Sequence, residues 1–509
     1  MKLDLTRSFY TDASPQHART IFWRVFVVTL LVKCWLAAAL PITGDEAYFY
    51  QLGVHPAWGY SDHPPMIGWW IYLLNSVSSS TLSIRFFTVL LWSVIAVGMV
   101  DLLRRMLPDT QEAAAWWLGS VFLLLPFTLL LNLVTTDTPL IFFVFLSGYC
   151  FMRGVLSERY GWSVLTGLFL GGALLSKYFA GLLAIAYFIY YCRSWRGWIN
   201  LLIIVAFSAP LFAITIGFNA YHCWPNVMFN LINRNEDAHW SWQTVAQYLL
   251  MMVYLITPWV LWRVMRAGNL LIRHGALVVL FTVPFAIFLL LSAEKSIGLH
   301  WVLGFMPFLY LFLGRATDAA TLRRYAIWSV LYSIPPFVVM AALIVVPTSM
   351  WQGHALHDDI VFHRDADAIV AELRKDLPPD AQIMGRFFTP SAILSYHAGE
   401  YLPTFGPGKF HARQDDLLID FRDYAGKPMR IFDRRKIDIA DLTPYFSSVT
   451  VHRFEIDGVS FWYADGADFN YEVYRERVLK TVANLYYRIP AVLPVYGCGF
   501  LERYALPRP

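Results

Sequence analysis

Runs of about 20 consecutive apolar residues recur along the first two thirds of the chain, each long enough to cross ~30 Å of hydrocarbon as a helix. They fall at 21–41, 82–103, 113–132, 138–153, 161–175, 178–192, 198–217, 244–264, 275–293, 299–314 and 325–347, about eleven crossings. Inside a bilayer the backbone of such a run must satisfy its own polar groups, which makes each a helix. The composition agrees: 57% of residues are hydrophobic and 15% charged, where soluble proteins carry about a quarter charged. The expected fold class is therefore a polytopic α-helical membrane protein. A net charge of only +4, with no stretch that interleaves Lys and Arg with aromatics, excludes a nucleic-acid partner. No short apolar core followed by a small-residue cleavage site begins the chain, so the first run is expected to be retained as a span.

Arginines set the orientation, because short cytoplasmic loops collect positive charge. Alternate loops hold Arg104 and Arg105; Arg153 and Arg159; Arg193 and Arg196; Arg263, Arg266 and Arg273; then Arg315, Arg323 and Arg324. These loops are the inside set. The intervening outside set holds an acidic stretch after the first span, Thr135–Asp137, Ser176–Tyr178, Phe218–Gln243 and Ala293–His300. The apolar segment Met66 to Val77 is too short to cross and is expected to lie at the interface or re-enter.

Beyond about Pro347 charges become frequent, which divides the chain into a membrane domain, 1–347, and an outer soluble α/β domain, 348–509. Helical spacing is expected over Asp365–Lys375 and Asn470–Arg488. Strands are expected over Ala381–Arg386 and Met429–Phe432, and a hairpin over Val449–Ala464 turning at Asp457-Gly458. Cys34, Cys150 and Cys192 sit in apolar runs as small hydrophobes. Cys223 and Cys498 would share the outer face, where a disulfide between them is allowed but not implied.

Thr43-Gly44-Asp45-Glu46, with Ser61-Asp62-His63-Pro64-Pro65 behind it, places three carboxylates in one outer loop with no Lys or Arg between Ile42 and Thr81. Asp45 and Glu46 are both candidate catalytic acids; being adjacent they point in different directions and one of them caps or solvates the loop, with Asp45 preferred because Gly44 leaves its backbone free to turn and it comes first after the span. Two prolines restrict the loop around Asp62 and His63. Asp137, in Thr135-Thr136-Asp137-Thr138-Pro139, reads both as a helix N-cap and as a third site acid. The cations facing the same side are few: Arg85, Lys177, Arg234 and Lys295, with His300 and Trp301 after the last. Isolated cations opposite carboxylates suit transfer from a phosphate ester, the cations holding phosphate and a carboxylate accepting a proton or holding a metal. The alternative for each cation is an interfacial anchor. Lys33, inside the first span, either snorkels outward or pairs with a neighbouring acid.

The order Gly44-Asp45-Glu46-Ala47-Tyr48, Trp58-Gly59-Tyr60-Ser61-Asp62-His63-Pro64-Pro65, Thr136-Asp137-Thr138-Pro139, Ser176-Lys177-Tyr178, Asn219-Ala220 with Trp224, and Lys295 before His300-Trp301 resembles the bacterial GT-C glycosyltransferases. The nearest groups are the protein mannosyltransferase-like family and the aminoarabinose transferases that modify lipid A. The resemblance covers roughly residues 20–320. It implies a polyprenyl-phosphate sugar donor, transfer with inversion on the outer face of the bacterial inner membrane, and a lipid or glycan acceptor. Asp45, Asp62 and Asp137 map to the family's catalytic or metal-linked acids, where a divalent Mg or Mn ion is the only cofactor to consider. Lys177, Arg234 and Lys295 map to the phosphate-holding bases. Arg85 and His300 join them as phosphate contacts, and Tyr60, His63, Tyr178 and Trp301 complete the expected substrate contacts. The chain lacks the Trp-Trp-Asp motif of oligosaccharyltransferases, having only Trp462-Tyr463-Ala464-Asp465, and lacks an inserted β-trefoil. Two other classes compete. A transporter or flippase of a lipid-linked sugar predicts polar breaks near mid-bilayer in two similar halves, whereas the polar residues here collect at one face. A binding or scaffold protein would leave the loop acids merely solvated. Sugar, acceptor and metal dependence stay open.

Overall fold

The computed structural model describes residues 14–233, 239–407 and 413–509. Every one of the eleven apolar runs is helical there. Six helices are long and apolar enough to cross a membrane: Pro15–Ala39, Thr81–Met106, Asp137–Ser157, Trp195–Tyr221, Leu299–Ala316 and Ala319–Val345. The other runs are broken or short, for local reasons. Trp242–Ile256 and Pro258–Met265 meet at 95°, where Pro258 follows Thr257 at φ 70°. Glu112–Leu123 stops just before Pro126 begins the short helix Pro126–Leu130. Gly161–Leu174, Tyr178–Tyr191 and Gly275–Leu291 are apolar but shorter than a full span. About eleven crossings are expected; eleven helical stretches of unequal length stand there, of which six among the described residues, or seven with the bent pair counted as one span, are long and apolar enough to cross.

Contacts divide the chain into two compact units, each discontinuous in sequence. The first comprises 1–40, 80–213 and 238–344; the second comprises 41–79, 214–237 and 345–509. Composition alone suggests one cut near residue 347; contacts instead group the acidic first loop with the C-terminal part of the chain.

The first unit is helical, and its core is apolar and aromatic, with Phe22, Trp92, Phe122, Phe145, Tyr187 and Tyr310 fully buried. One polar device shapes its edge. The buried Arg85, between the helices Thr81–Ile84 and Phe86–Met106, donates to the carbonyls of Ala37 and Leu40 at 2.9 and 2.8 Å. It satisfies the C-terminal carbonyls of the first span, where a cation also complements the helix dipole.

The second unit holds a four-stranded sheet of order β1-β2-β4-β3: β1 (Gln382–Gly385), β2 (Met429–Asp433), β3 (Ser448–Ile456) and β4 (Val459–Ala467). β1 runs parallel to β2, and the other neighbours are antiparallel. The expected hairpin is β3–β4, closed by Asp457 and Gly458, both at positive φ as a two-residue hairpin turn requires. β2 is buried throughout. Of its two charged residues, Arg430 and Asp433, Arg430 meets Asp465 directly across on β4 in two hydrogen bonds of 2.7 and 2.8 Å. The helix Ala366–Arg374 buries Ala366, Ile369, Val370 and Leu373, the 3.6-residue stripe expected from sequence. A disulfide joins Cys223 to Cys498. Around it Trp224 Nε1 donates to the Pro494 carbonyl at 2.8 Å and Tyr496 N to that of Ala220 at 2.9 Å.

Candidate active site

In the second unit, the acidic loop opens with Thr43-Gly44-Asp45-Glu46, an N-terminal signature that folds as a capping box at the start of the helix Gly44–Val54. Thr43 N and Oγ1 both donate to Glu46 Oε2 at 3.1 Å, and Glu46 N donates back to Thr43 Oγ1. Glu46 is therefore buried and engaged in holding the helix end. Asp45, one residue earlier, is exposed, and no hydrogen bond or ion pair to a described residue holds its carboxylate. Gly44 is not a swivel. It is the first helical residue, and a Cβ there would fall 2.0 Å from Thr389 Cγ2, so the glycine serves a close approach to the helix Phe388–Ala398.

Asp62 is buried, and Tyr48 donates to its Oδ1 at 2.8 Å. His63 Nε2 lies 3.7 Å from the other oxygen. Desolvation, with the Asp62 charge next, pushes the Tyr48 hydroxyl well above the ordinary tyrosine range, so it stays a donor. Tyr60 is fully buried; its hydroxyl donates to the Leu52 carbonyl and accepts from Ala57 N. That engagement with the loop's own backbone gives Tyr60 a structural task. Three distant side chains hold the same loop by its backbone: Asn226 Nδ2 donates to the Tyr60 carbonyl, Asn230 Nδ2 to that of Asp62 at 3.0 Å, and Gln414 Oε1 accepts from Ser61 N at 3.0 Å.

In the first unit, Asp137 begins the helix Asp137–Ser157. Its carboxylate does not cap that helix. Local bonds among Thr135, Asp137 N and Thr138 serve the turn instead, at 3.2 Å each. The carboxylate is left to Lys177, whose Nζ donates to Oδ1 and Oδ2 at 3.0 and 2.9 Å. His300 Nε2 stands 3.7 Å from the same carboxylate. Lys177 Nζ also lies 5.5 Å from the centre of the Phe179 ring, and Trp301 packs on that ring at 4.6 Å. Asp137, Lys177 and His300, with Trp301 beneath, thus form one cluster at one end of the spans. Tyr178 and Lys295 are half-buried beside elements of this cluster in sequence. Arg85 is engaged with the carbonyls of the first span. Arg234 lies outside the described residues. Lys33 neither snorkels nor pairs: it is fully buried, and its Nζ has no hydrogen-bond partner among the described residues.

Among the described residues no three His, Cys, Asp or Glu side chains form a group that could hold a metal ion. The set Asp45, Asp62 and Asp137 does not fit one, since Lys177 occupies Asp137 and Tyr48 one oxygen of Asp62. No step is therefore assigned to a metal. The residues that sequence reasoning misses are Tyr48, Asn226, Asn230 and Gln414. Tyr48 lies within a quoted motif; the other three act on backbone far away in sequence and leave no local pattern.

Residues 62–222 match the family model described as dolichyl-phosphate-mannose-protein mannosyltransferase. No curated protein matches the chain by sequence. Among solved structures, ArnT from Cupriavidus metallidurans in the apo state is similar over 87% of this chain and 98% of that chain, with 17% identity and a TM-score of 0.61. The same protein bound to undecaprenyl phosphate matches with equal coverage and TM-score at 16% identity. With six helices among the described residues long and apolar enough to cross, the chain is a multi-pass membrane protein. Its fold is similar to that of ArnT, and its C-terminal part is built on a small sheet.

Proposed function

We propose that this protein is an inverting glycosyltransferase that moves a monosaccharide from a polyprenyl-phosphate donor, of the undecaprenyl-phosphate type, to a lipid A, lipopolysaccharide or other envelope-glycan acceptor. The observation that carries the reading is the Lys177–Asp137–His300 cluster at the boundary end of an apolar helix set with the ArnT-like fold. A lipid-borne phosphate presents its charge at that depth and keeps its chain in hydrocarbon. Lys177 and His300, with Lys295, hold the phosphate, and Asp137 keeps Lys177 in place. That ArnT has been seen with undecaprenyl phosphate bound supports this donor class.

In the transfer, an acceptor oxygen attacks the anomeric carbon on the face opposite the phosphate. The carbon–oxygen bond to phosphate breaks, polyprenyl phosphate leaves with its electron pair, and the configuration inverts. Asp45, exposed and unengaged among the described residues, takes the proton of an acceptor hydroxyl; where the acceptor is itself a phosphate, it orients the acceptor instead. The reaction is set on the outer, periplasmic side of the bacterial inner membrane. The Cys223–Cys498 disulfide supports that side, because disulfides persist in oxidising compartments.

The test incubates purified protein with polyprenyl-phosphate sugars and an outer-envelope extract and detects released polyprenyl phosphate. Release that requires the acceptor is expected. Movement of the intact lipid-linked sugar across a vesicle membrane without release would establish a flippase instead.

A further inference from the structure

The helix Asp137–Ser157 has 21 residues, so its far end lies ~30 Å from Asp137, about one hydrocarbon thickness away. At that far end, Glu158, Tyr190, Arg193, Ser194, Arg196 and Asn200 line a cavity of about 380 Å³, within the size range of small-ligand sites. A lipid whose phosphate meets Lys177 cannot reach it.

Four arginines around this end pair with acids. Arg104 pairs with Glu112 at 2.7 Å, Arg105 with Asp101 at 2.9 Å, Arg153 with Asp101 at 3.6 Å, and Arg196 with Glu158 at 2.7 Å. Arg196 also donates to the Glu158 carbonyl, and so fastens the end of one span to the start of another. Asn200 is likewise engaged: its Nδ2 donates to the Arg196 carbonyl at 2.9 Å and its Oδ1 accepts from Ser163 at 2.6 Å. Arg193 has no acidic partner among the described residues, and it lines the cavity. Arg159 also lacks one but lies outside the lining. With Glu158 neutralised by Arg196, the cavity carries one uncompensated positive charge. Trp195 and Trp198, 81% and 43% exposed, are next in sequence to the lining residues Ser194, Arg196 and Gly197; exposed tryptophans of this kind sit at headgroup depth.

We propose that this cavity is a headgroup site for an anionic glycerophospholipid of the leaflet opposite the Asp137 end, with the phosphodiester on Arg193 and the acyl chains along the spans. Concavity, a lining guanidinium with no acidic partner among the described residues, and exposed tryptophans next to the lining in sequence fit a phosphodiester and leave a zwitterionic headgroup with its ammonium group unmatched. The site stands independently of the glycosyl-transfer reading.

Native mass spectrometry of the full chain, titrated with phosphatidylglycerol or phosphatidylcholine, tests it. One phosphatidylglycerol is expected to be retained in preference to phosphatidylcholine, with Arg193→Gln weakening retention about fivefold or more, the effect of removing one such charge. Arg159→Gln should bind as the wild type does. Both side chains are exposed, so unchanged melting temperatures are expected for both variants. Equal weakening by the two variants would reduce the effect to diffuse surface charge and overturn the site. No effect of Arg193→Gln, equal retention of phosphatidylcholine, or displacement by millimolar inorganic phosphate would each overturn the lipid assignment.

Discussion

Lys177 donates to both carboxylate oxygens of Asp137, at 3.0 and 2.9 Å, and the two side chains are 13% and 5% exposed. A pair this dry is held by mutual neutralisation: removing one partner strands the other's charge at a cost of ~3–5 kcal/mol, whereas removing both often costs little. Asp137→Asn and Lys177→Met should each lower the melting temperature of detergent-solubilised protein. The double variant should recover most of the loss while remaining inactive in transfer. Losses that simply add in the double variant would show that the pair does not act as a unit.

Asp45 and Glu46 are neighbours with opposite situations, one exposed and unengaged among the described residues, the other buried in a capping box. Asp45→Asn is expected to fold normally and to lose transfer by roughly 10²–10⁴, the contribution of a general base. Glu46→Ala should lose about 1 kcal/mol of stability through the lost cap while keeping turnover within a few-fold. Measuring kcat and melting temperature for both variants checks the assignment; a Glu46→Ala enzyme that is stable and inactive would reverse it.

The apolar runs are legible in sequence because a helix in lipid needs nothing beyond its own composition, and the β3–β4 hairpin because Asp457-Gly458 states its turn locally. The Thr43–Glu46 capping box is equally local. Lys177 and Asp137 stand out as lone charges on outer loops, yet nothing local pairs residues 40 apart. Gln414 is invisible for the same reason in stronger form: it is an ordinary polar residue 353 positions from the amide it satisfies. Arg85 misleads because a buried guanidinium on main-chain carbonyls and one awaiting a phosphate look identical in sequence.

Tyr48 holds Asp62 through a hydroxyl that desolvation and the Asp62 charge keep protonated well above the ordinary value. Tyr48→Phe should lower kcat about tenfold, one hydrogen bond to a charged group being worth ~1.5–3 kcal/mol. Since the native state disfavours the phenolate, Tyr48 costs stability only as pH rises above its unfolded value of about 10. The alkaline limb of a pH–rate profile near pH 9 should therefore be the same in wild type and Tyr48→Phe. Loss of that limb in the variant would mean that Tyr48 itself titrates there.

Gln414 Oε1 accepts from Ser61 N, a buried amide next to Asp62. Gln414→Ala leaves that donor unsatisfied, a penalty of ~1–3 kcal/mol that the loop can escape only by moving. Transfer should fall through kcat more than KM, and Gln414→Glu, which keeps an acceptor at the same place, should recover most of it. If Gln414→Glu stays as impaired as Gln414→Ala at equal stability, the bond to Ser61 is not what positions the loop.

The Cys223–Cys498 disulfide closes a separation of 275 residues and ties the segment bearing Asn226 and Asn230 to the C-terminal part of the chain. Both asparagines hold the backbone of the Tyr60–Asp62 loop, so the cross-link bears on the site as well as on stability. Cys223→Ser with Cys498→Ser should destabilise the protein by ~2–4 kcal/mol, as a long closed loop implies. Because the asparagines then keep their bonds only while the segment stays docked through Trp224 and the Pro494 carbonyl, transfer at low temperature should survive and should fail at a lower temperature than in wild type. Treating the wild type with reductant should reproduce the variant's melting temperature, and a variant insensitive to reductant but already inactive in the cold would break the link between the cross-link and the loop.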